Sequence, residues 1–241
     1  ILELKDFKER TDDGYFILRF KNKVYRLLEW FKQYENADGL LERLPGWVFV
    51  EWSKANDFVQ DINFPSNMLY SYTLCAAGEL FGDGDLLQKA EKLKTVIRNR
   101  SFDGEFFRDN EVYKNGAAVS TENRTETCQY YAFFTGVATK ELYPELWQRL
   151  VNEFGPDRVK NGGYPEIYPS NAFIGNFLRL ELLCNNGCCA ELLKEIKGYF
   201  LYMADITGTL WEHKDTCASC NHGFASYVAN LIQKSELSLK P

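Results

Sequence analysis

One short stretch of the sequence concentrates residues that could carry chemistry. Residues 208–223 hold both histidines of the chain, two of its seven cysteines, a tryptophan, a glutamate and an aspartate. The Cys-x-x-Cys spacing of CASC is typical of a zinc or dithiol site. Trp211 beside Glu212 would instead suit a stacking surface next to a carboxylate at the rim of a sugar-binding pocket. The spacing alone leaves these three chemistries open.

A zinc site and a redox centre both fit this stretch poorly. Zinc could draw on Cys217, Cys220 and His222, with His213 or Asp215 as a further ligand. A structural Cys-x-x-Cys site usually recruits a second, distant pair of ligands, and His222 follows Cys220 by only two positions. A dithiol centre needs the motif at a helix start in a thioredoxin-type βαβ unit, which this helical chain lacks. We therefore predict no bound metal and no cofactor.

As part of a hydrolase site, the same stretch offers a carboxylate with a tunable pKa. Glu212 lies next to Trp211, and aromatic or histidine neighbours can shift the ionisation of such a group. Asn221 and His222, at the start of the last predicted helix, would donate to a sugar hydroxyl or orient a carboxylate. Packing of an ordinary loop against a capped helix is the alternative.

Residues 47–52, WVFVEW, also suit sugar recognition. Trp47 and Trp52 flank Glu51. An indole face stacks on the apolar face of a pyranose, while a carboxylate accepts hydrogen bonds from hydroxyl groups. A buried strand with Val48 and Val50 turned inward explains the pattern equally well.

Two further glutamates are candidates. Glu126 and Gln129 lie three positions apart on a predicted helix, so both could point into a central funnel, although core packing of this helix is the alternative. Glu166 falls in a loop rich in Gly and Pro, directly before another predicted helix. It is either a ligand-binding residue or a solvated loop residue.

Composition narrows the class of protein. The chain has 241 residues with 45% hydrophobic and 15% aromatic content, enough for one globular domain with a large core. Its 28 Lys and Arg against 34 Asp and Glu give a net charge of −6. The sequence contains neither a basic run nor an apolar window of about 18 residues, so we expect no nucleic acid and no membrane as partner.

The cysteine count and the first residues bear on the compartment. Seven is an odd number, and Cys188 and Cys189 are adjacent, where a disulfide is strained. Free thiols and a cytoplasmic location are therefore predicted, with export as the alternative. The first residues do not form a secretory signal. Because the chain starts at Ile1 rather than Met, we also expect sequence upstream of it.

The elements that position these residues are helices. Hydrophobic periodicity predicts eight of them, in pairs joined by links of two to four residues. The returns between pairs are long and rich in Trp, Tyr, Gly, Pro and acids, and they contain short strand-like pieces such as GWVFVEW and GEFFRDNEVY. This asymmetry predicts stacked helical hairpins, an α/α toroid with every long return at one rim. The predicted helices span residues 15–35, 65–81, 86–99, 122–138, 142–154, 171–184, 188–203 and 219–233.

Several of these motifs resemble a known family. GTLWEH followed by SCNHGFAS resembles the end of the six-hairpin catalytic domain of glycoside hydrolase family 78, the α-L-rhamnosidases. WVFVEW resembles an aromatic and acidic loop of that family. TETCQYYAFFTGVA and GGYPEIYPSNAFIGNFLRLELL resemble two of its inner-helix segments. The likeness extends over most of the chain from about residue 15.

The resemblance implies an all-α (α/α)6 barrel and inverting hydrolysis of terminal α-L-rhamnosyl residues. It places Glu212 on the general base, His222 on a sugar-contacting histidine, and Trp47 or Trp52 on the stacking aromatic. Trp211, Glu51, Glu126, Glu166 and Asn221 complete the candidate substrate-binding set. A carbohydrate is therefore the expected partner.

One departure from the family pattern bears on activity. The family's general acid lies in an Arg-Asp-x-x-Arg-like stretch, which residues 1–40 do not match. Eight helices also fall short of six hairpins. We therefore expect residues 1–241 to be one domain that makes up the C-terminal two thirds of a larger catalytic domain, inactive alone and self-associating at an exposed apolar seam. The alternatives are a noncatalytic carbohydrate-binding or scaffold toroid, and a zinc-stabilised helical module.

Overall fold

The computed structural model describes residues 1–238 of the chain, and within them it contains ten α-helices and three short strands. The helices are α1 Leu2–Thr11, α2 Gly14–Leu18, α3 Lys21–Lys32, α4 Phe64–Phe81, α5 Gly84–Ser101, α6 Glu126–Phe134, α7 Pro144–Glu153, α8 Gly175–Asn185, α9 Cys189–Thr207 and α10 Tyr227–Ser238. The strands are β1 Ile62–Asn63, β2 Asn110–Lys114 and β3 Ala117–Ser120.

The helices form an α/α toroid of helical hairpins, which confirms the predicted fold class. Helices α4, α6, α8 and α10 contact one another in succession and make the inner layer. The outer helices α5 and α9 pack against α4 and α8, and the Phe133 and Trp147 rings, 5.3 Å apart, join α6 to α7. None of the helices within residues 1–238 is long and apolar enough to cross a membrane.

The hairpin of α4 and α5 shows why the sequence pattern predicts the helices well. The Asn63 side chain accepts a hydrogen bond from the Ser66 N–H and caps α4, whose second residue is Pro65. Helix α4 ends at Gly82 in the left-handed region, with φ of 65°. The Asp83 carboxylate then caps α5. Two residues therefore suffice to reverse the chain.

Some predicted helix boundaries are wrong. The predicted helix over residues 15–35 is split into α2 and α3 by a tight turn, in which Arg19 and Phe20 donate to carbonyls three residues earlier. Helix α1 precedes it and has no counterpart among the predicted helices. Helix α6 begins at Glu126 rather than at residue 122, because Thr125 is its cap and residues 117–120 pair in β3 instead.

The last predicted helix also begins late. Residues 219–222 are held in an extended hairpin: the Glu212 N–H donates to the Ser219 carbonyl, and the His222 N–H donates to the Leu210 carbonyl. A short 3-10 turn over Gly223–Ser226 then leads into α10. Asn221 therefore lies in a loop and not at a helix start.

The strand predictions have mixed outcomes. Strands β1, β2 and β3 form one antiparallel sheet, and β2 includes Glu111–Tyr113 of the GEFFRDNEVY segment. Residues 47–52 are not a strand. Instead the Val50 N–H donates to the Asn56 side chain, and this loop passes into a 3-10 turn over Lys54–Phe58.

Four long connections, here called the rim segments, meet at one end of the toroid. They span residues 46–63, 102–125, 154–174 and 208–226. The Asn171 side chain donates to the Trp52 carbonyl at 2.6 Å and accepts from the Lys214 N–H at 2.9 Å. Tyr168 forms a parallel bridge with Thr125. The Phe64 N–H, directly after the first rim segment, donates to the Asp109 carbonyl.

An open apolar groove of about 680 Å³ lies between α3 and α4. Leu27 and Phe31 line it from α3, Leu69 and Thr73 from α4, and Tyr131 from α6. Leu27 and Leu69 are exposed. The groove has the apolar character expected of a seam, and self-association across it remains a prediction.

Candidate functional site

A continuous aromatic surface crosses three of the rim segments. We call it the aromatic rim, and it consists of Trp47, Phe49, Trp52, Phe173, His213 and His222. The Trp47 and Trp52 rings lie 5.5 Å apart, and the Trp52 and His213 rings 5.7 Å apart. The Phe49 and Phe173 rings are 6.0 Å apart, and the Phe173 and His222 rings 5.1 Å. Trp47 is 70% exposed, so part of this surface is open to a ligand.

Glu212 lies beside the aromatic rim as the residue before His213. Its side chain is half-buried. Neither carboxylate oxygen takes a hydrogen bond from any of the described residues, and its backbone N–H is bound to the Ser219 carbonyl. The carboxylate is therefore available to a water molecule or a ligand.

The structure places the predicted partners of Glu212 differently. His222 is in the aromatic rim, and its buried Nδ1 has no hydrogen-bond partner within the described residues. The side chain of Asn221 is exposed in the neighbouring loop. Trp211 is only 2% exposed, and its indole N–H donates to the Thr207 hydroxyl. Because its ring packs in the core, Trp211 offers no face to a sugar.

The Glu51 carboxylate is also inaccessible to a ligand. It is fully buried, and its two oxygens accept hydrogen bonds from the backbone N–H groups of Trp52, Asn171, Ile174 and Gly175. Three of these donors precede or begin α8, so the carboxylate caps that helix from a distant part of the chain. Burial raises the pKa of Glu51 to about 7, against the opposing effect of the four N–H donors. The predicted role of Glu51 in sugar binding is replaced by a structural one.

Glu126 is a second buried carboxylate with a structural role. Its Oε1 accepts from the Arg158 Nε, and its Oε2 accepts from the Ser170 N–H at 2.8 Å. Glu126 is 3% exposed and Arg158 4%. Gln129, the other funnel candidate, exchanges two hydrogen bonds with the Phe107 backbone. Both side chains are therefore used in holding rim segments to α6.

Glu166 is exposed, and no described residue bonds to its carboxylate. Phe49, Phe173 and His213 were not among the predicted sugar-binding residues although they lie in the aromatic rim. In the sequence, Phe49 and Phe173 are indistinguishable from phenylalanines of the hydrophobic core, and His213 is considered only as a metal ligand. The only signal was their position next to the candidate motifs.

Buried polar atoms without partners lie below the rim. Tyr130 Oη on α6, both amide atoms of Asn176 on α8, Ser170 Oγ and Tyr227 Oη all lack a hydrogen-bond partner within the described residues. Buried polar groups are normally paired, with water or a ligand if not with protein. We therefore expect buried water molecules beside these atoms.

Lys214 extends from the rim toward the protein interior. The residue as a whole is exposed, yet its Nζ lies 5.9 Å from the centroid of the buried Tyr199 ring. Burial lowers the pKa of Lys214, and the carboxylates of Glu126 and Glu51 oppose that shift. The ammonium group thus lies in a region that also holds two buried carboxylates.

The structure brings together only some of the residues that the sequence offers as zinc ligands. His213, Asp215 and Cys217 have ligand atoms within 4.8 Å of one another, and no described cluster adds Cys220 or His222 to them. The pKa of the Cys217 thiol is raised by its hydrogen bond to Asp215 and, to a smaller extent, by the charge of Glu212. All seven cysteines are unpaired.

Comparison with solved structures identifies the fold. A GH78 family rhamnosidase of Bacillus sp. GL1 matches 99% of this chain with a TM-score of 0.77 and 17% identity. A rhamnosidase from Klebsiella oxytoca with rhamnose bound matches 98% with a TM-score of 0.72 and 16% identity. The chain has the fold of these two rhamnosidases.

The match covers only part of each neighbour. The chain corresponds to 25% of the Bacillus protein and 45% of the Klebsiella protein. No protein-family model matches the sequence, and no curated protein matches it. The likeness to the two solved structures is therefore a likeness of fold.

Proposed function

We propose that this chain forms the sugar-binding wall and supplies the general base of an inverting glycoside hydrolase that acts on terminal α-L-rhamnosyl residues. The observation that carries the proposal is the Glu212 carboxylate, which accepts no hydrogen bond from the described residues, directly before His213 of the aromatic rim in a chain that folds like two rhamnosidases. Because identity to those neighbours is low, the substrate and the roles of residues rest on the motif resemblance and on this geometry.

In this proposal Glu212 takes a proton from the attacking water. The water oxygen bonds to the anomeric carbon as the bond to the leaving oxygen breaks, and attack from the opposite ring face inverts the configuration. A base needs an oxygen that protein donors do not occupy, and the Glu212 carboxylate meets this condition. Of the other three candidate glutamates, Glu51 and Glu126 have both carboxylate oxygens hydrogen-bonded and do not. Glu166 also has free oxygens, but it lies in the exposed loop before α8 and not next to the aromatic rim.

The aromatic rim and the unpaired polar atoms would bind the sugar. Rhamnose presents C–H groups and a methyl group, which suit stacking against Trp47 or Trp52. Its hydroxyls would bond to His222 Nδ1 and to the exposed amide of Asn221. Glu166 could reach only the outer part of a substrate, since it lies in the exposed loop before α8.

The reaction also needs a carboxylic acid roughly 6.5–9.5 Å from the base, to protonate the leaving oxygen. Residues 1–40 lack the family's acid motif. The proposal therefore assigns this acid to sequence outside the 241 residues and expects the chain alone to bind the sugar without cleaving it.

Binding of sugar by the chain itself is the first test. Isothermal titration of the 241-residue chain with L-rhamnose should give saturable binding, with weaker binding of D-glucose and L-fucose as comparison sugars. Preference for one of the comparison sugars would reject rhamnose as the ligand. Absence of binding to all three would reject this surface as a sugar site.

Catalysis is tested in the natural polypeptide that contains these residues. It should hydrolyse an aryl α-L-rhamnoside, and NMR should detect the β-anomer of rhamnose as the first product. Glu212→Gln should lower kcat by about 10²–10⁴-fold. Glu145→Gln, at an exposed position of α7, is the matched control and should change it little. Full activity of Glu212→Gln would remove Glu212 from the base role. Sugar binding without any hydrolysis would favour the noncatalytic alternative.

A further inference from the structure

We propose that His213, Asp215 and Cys217 form a binding site for a divalent transition-metal ion, with Zn²⁺ the best fit. The site is independent of the proposed hydrolase function, and it uses a different set of residues from the one that the Cys-x-x-Cys spacing suggests. An imidazole nitrogen, a carboxylate oxygen and a thiol sulfur lie within 4.8 Å of one another. They come from alternate positions of a five-residue turn.

The distances suit tetrahedral coordination. Ligand atoms 2.0–2.3 Å from a zinc ion are separated from one another by roughly 3.3–3.8 Å. His213 Nδ1 and Cys217 Sγ are 3.1 Å apart. Small side-chain rotations that separate the two atoms by a few tenths of an ångström would therefore admit the ion between them.

The turn is held in this shape by contacts that do not involve a metal. The His213 ring packs against the Trp52 ring, with centroids 5.7 Å apart. The Lys214 N–H donates to the Asn171 side chain, and the Cys217 N–H donates to the Asp215 carboxylate at 3.0 Å. Each of the three metal-binding side chains is thus held by a contact of its own residue or of the neighbouring residue. This reduces the conformational entropy that the protein loses when it binds the ion.

The charge of the turn also favours a cation. Asp215 is acidic, and loss of the Cys217 thiol proton to bulk water on metal binding would add a second negative charge. Glu212 lies close enough for its charge to act on Cys217. A water molecule would take the fourth position.

The donor types decide between metals. A thiolate with an imidazole selects zinc and related transition metals, whereas Mg²⁺ and Ca²⁺ bind sets of oxygen atoms. Cys217 and Asp215 are exposed, so the ion could enter directly from solvent. Cys220 is the matched control for Cys217, because it belongs to the same CASC motif and lies outside the cluster.

The test is a titration of the 241-residue chain with Zn²⁺, in competition with a chelating dye and with a phosphine reductant that keeps the thiols free. We expect one zinc per chain. Cys217→Ser and Asp215→Asn should each weaken binding by at least about tenfold, and Cys220→Ser should leave it unchanged. Replacement of zinc by Co²⁺ should give a thiolate-to-cobalt charge-transfer band that Cys217→Ser abolishes.

Two results would overturn the proposal. The first is zinc binding by the unaltered chain that is no tighter than binding by Cys217→Ser. The second is an equal loss of affinity in Cys220→Ser, which would place the ion on the Cys-x-x-Cys pair. Circular dichroism of each variant keeps the comparison within folded protein. Of the three substituted side chains, Asp215 and Cys217 are exposed and Cys220 is half-buried.

Discussion

The Glu51 carboxylate occupies the space that a side chain at position 175 would need. A Cβ atom on Gly175 would lie 2.6 Å from Glu51 Oε2 and 2.2 Å from the Cβ of Ser170. The first residue of α8 is thus a glycine because the helix start closely approaches the buried Glu51 carboxylate and the Ser170 side chain. Residue 51 lies in the first rim segment and residue 175 begins α8, so their contact joins the WVFVEW loop to the inner layer.

Gly175→Ala is therefore expected to destabilise the protein. Overpacking a closed site typically costs about 1–3 kcal/mol, and here both close atoms are buried. Urea unfolding should measure the loss. Gly84→Ala is the control, since a Cβ at position 84 meets nothing within 4 Å and the residue is helical. Equal stability of the two variants would contradict the predicted contact.

The buried Asp109 predicts a specific pH dependence. Its Oδ1 accepts from the Thr125 hydroxyl at 2.8 Å, and its Oδ2 has no partner among the described residues. Burial raises its pKa from 3.8 to about 8. Between these values the folded protein keeps a proton that the unfolded chain has lost, so the free energy of unfolding falls as pH rises, by up to about 1.4 kcal/mol per pH unit.

Asp109→Asn should remove this slope. Relative to the unaltered chain, the variant should become progressively more stable from pH 5 to pH 8, as measured by urea unfolding at several pH values. Asp205→Asn, at an exposed position of α9, should leave the pH dependence as it was. Parallel pH profiles for Asp109→Asn and the unaltered chain would show that Asp109 is ionised in the folded protein.

The buried pair of Glu126 and Arg158 predicts a loss of stability rather than of ligand binding. Removing one member of such a pair leaves a buried charge uncompensated and typically costs about 3–5 kcal/mol. Glu126→Gln should therefore lower the free energy of unfolding strongly. For the exposed Glu166→Gln, the change should stay within about 0.5 kcal/mol. A Glu126→Gln protein of normal stability that no longer binds sugar would restore Glu126 to the ligand-binding set.

For Trp47 we expect an effect on ligand binding and not on stability. It is 70% exposed, so Trp47→Ala should leave unfolding almost unchanged. Loss of a stacking face worth about 0.5–1.5 kcal/mol should weaken L-rhamnose binding by about 2–12-fold in isothermal titration. Tyr15→Ala, at a 78% exposed position of α2, is the control and should not affect binding. Unchanged affinity in Trp47→Ala would remove this side chain from the proposed sugar site.

The hairpins could be predicted from the sequence because their signals are local. The helix period, Pro65 at a first turn and Gly82 at a helix end all act within a few residues of where they stand. Convergence of the long connections follows from the alternation of short and long links. The tight turn at Arg19 and Phe20 has no such signal, since both residues are compatible with a continuous helix.

The roles of the acids could not be predicted in the same way, because they depend on distant residues. Three of the four donors to Glu51 lie about 120 positions later in the chain, and the Arg158 that pairs with Glu126 comes from another rim segment. Trp211 and Trp47 both lie in long connections between helices, yet one is core and the other is exposed. Only the packing of the inner layer separates them.

Two of the hydrogen bonds of the Asn171 side chain have a consequence for recognition. Since one amide links the backbones of residues 52 and 214, the loops that carry Trp52 and His213 share a fixed spacing before any ligand arrives. Binding of a ligand to this surface would therefore cost little conformational entropy of the protein. Selectivity would come from the shape of a rigid surface. Replacing the loop that carries Trp52 would then also shift the loop that carries His213, because Asn171 links the two.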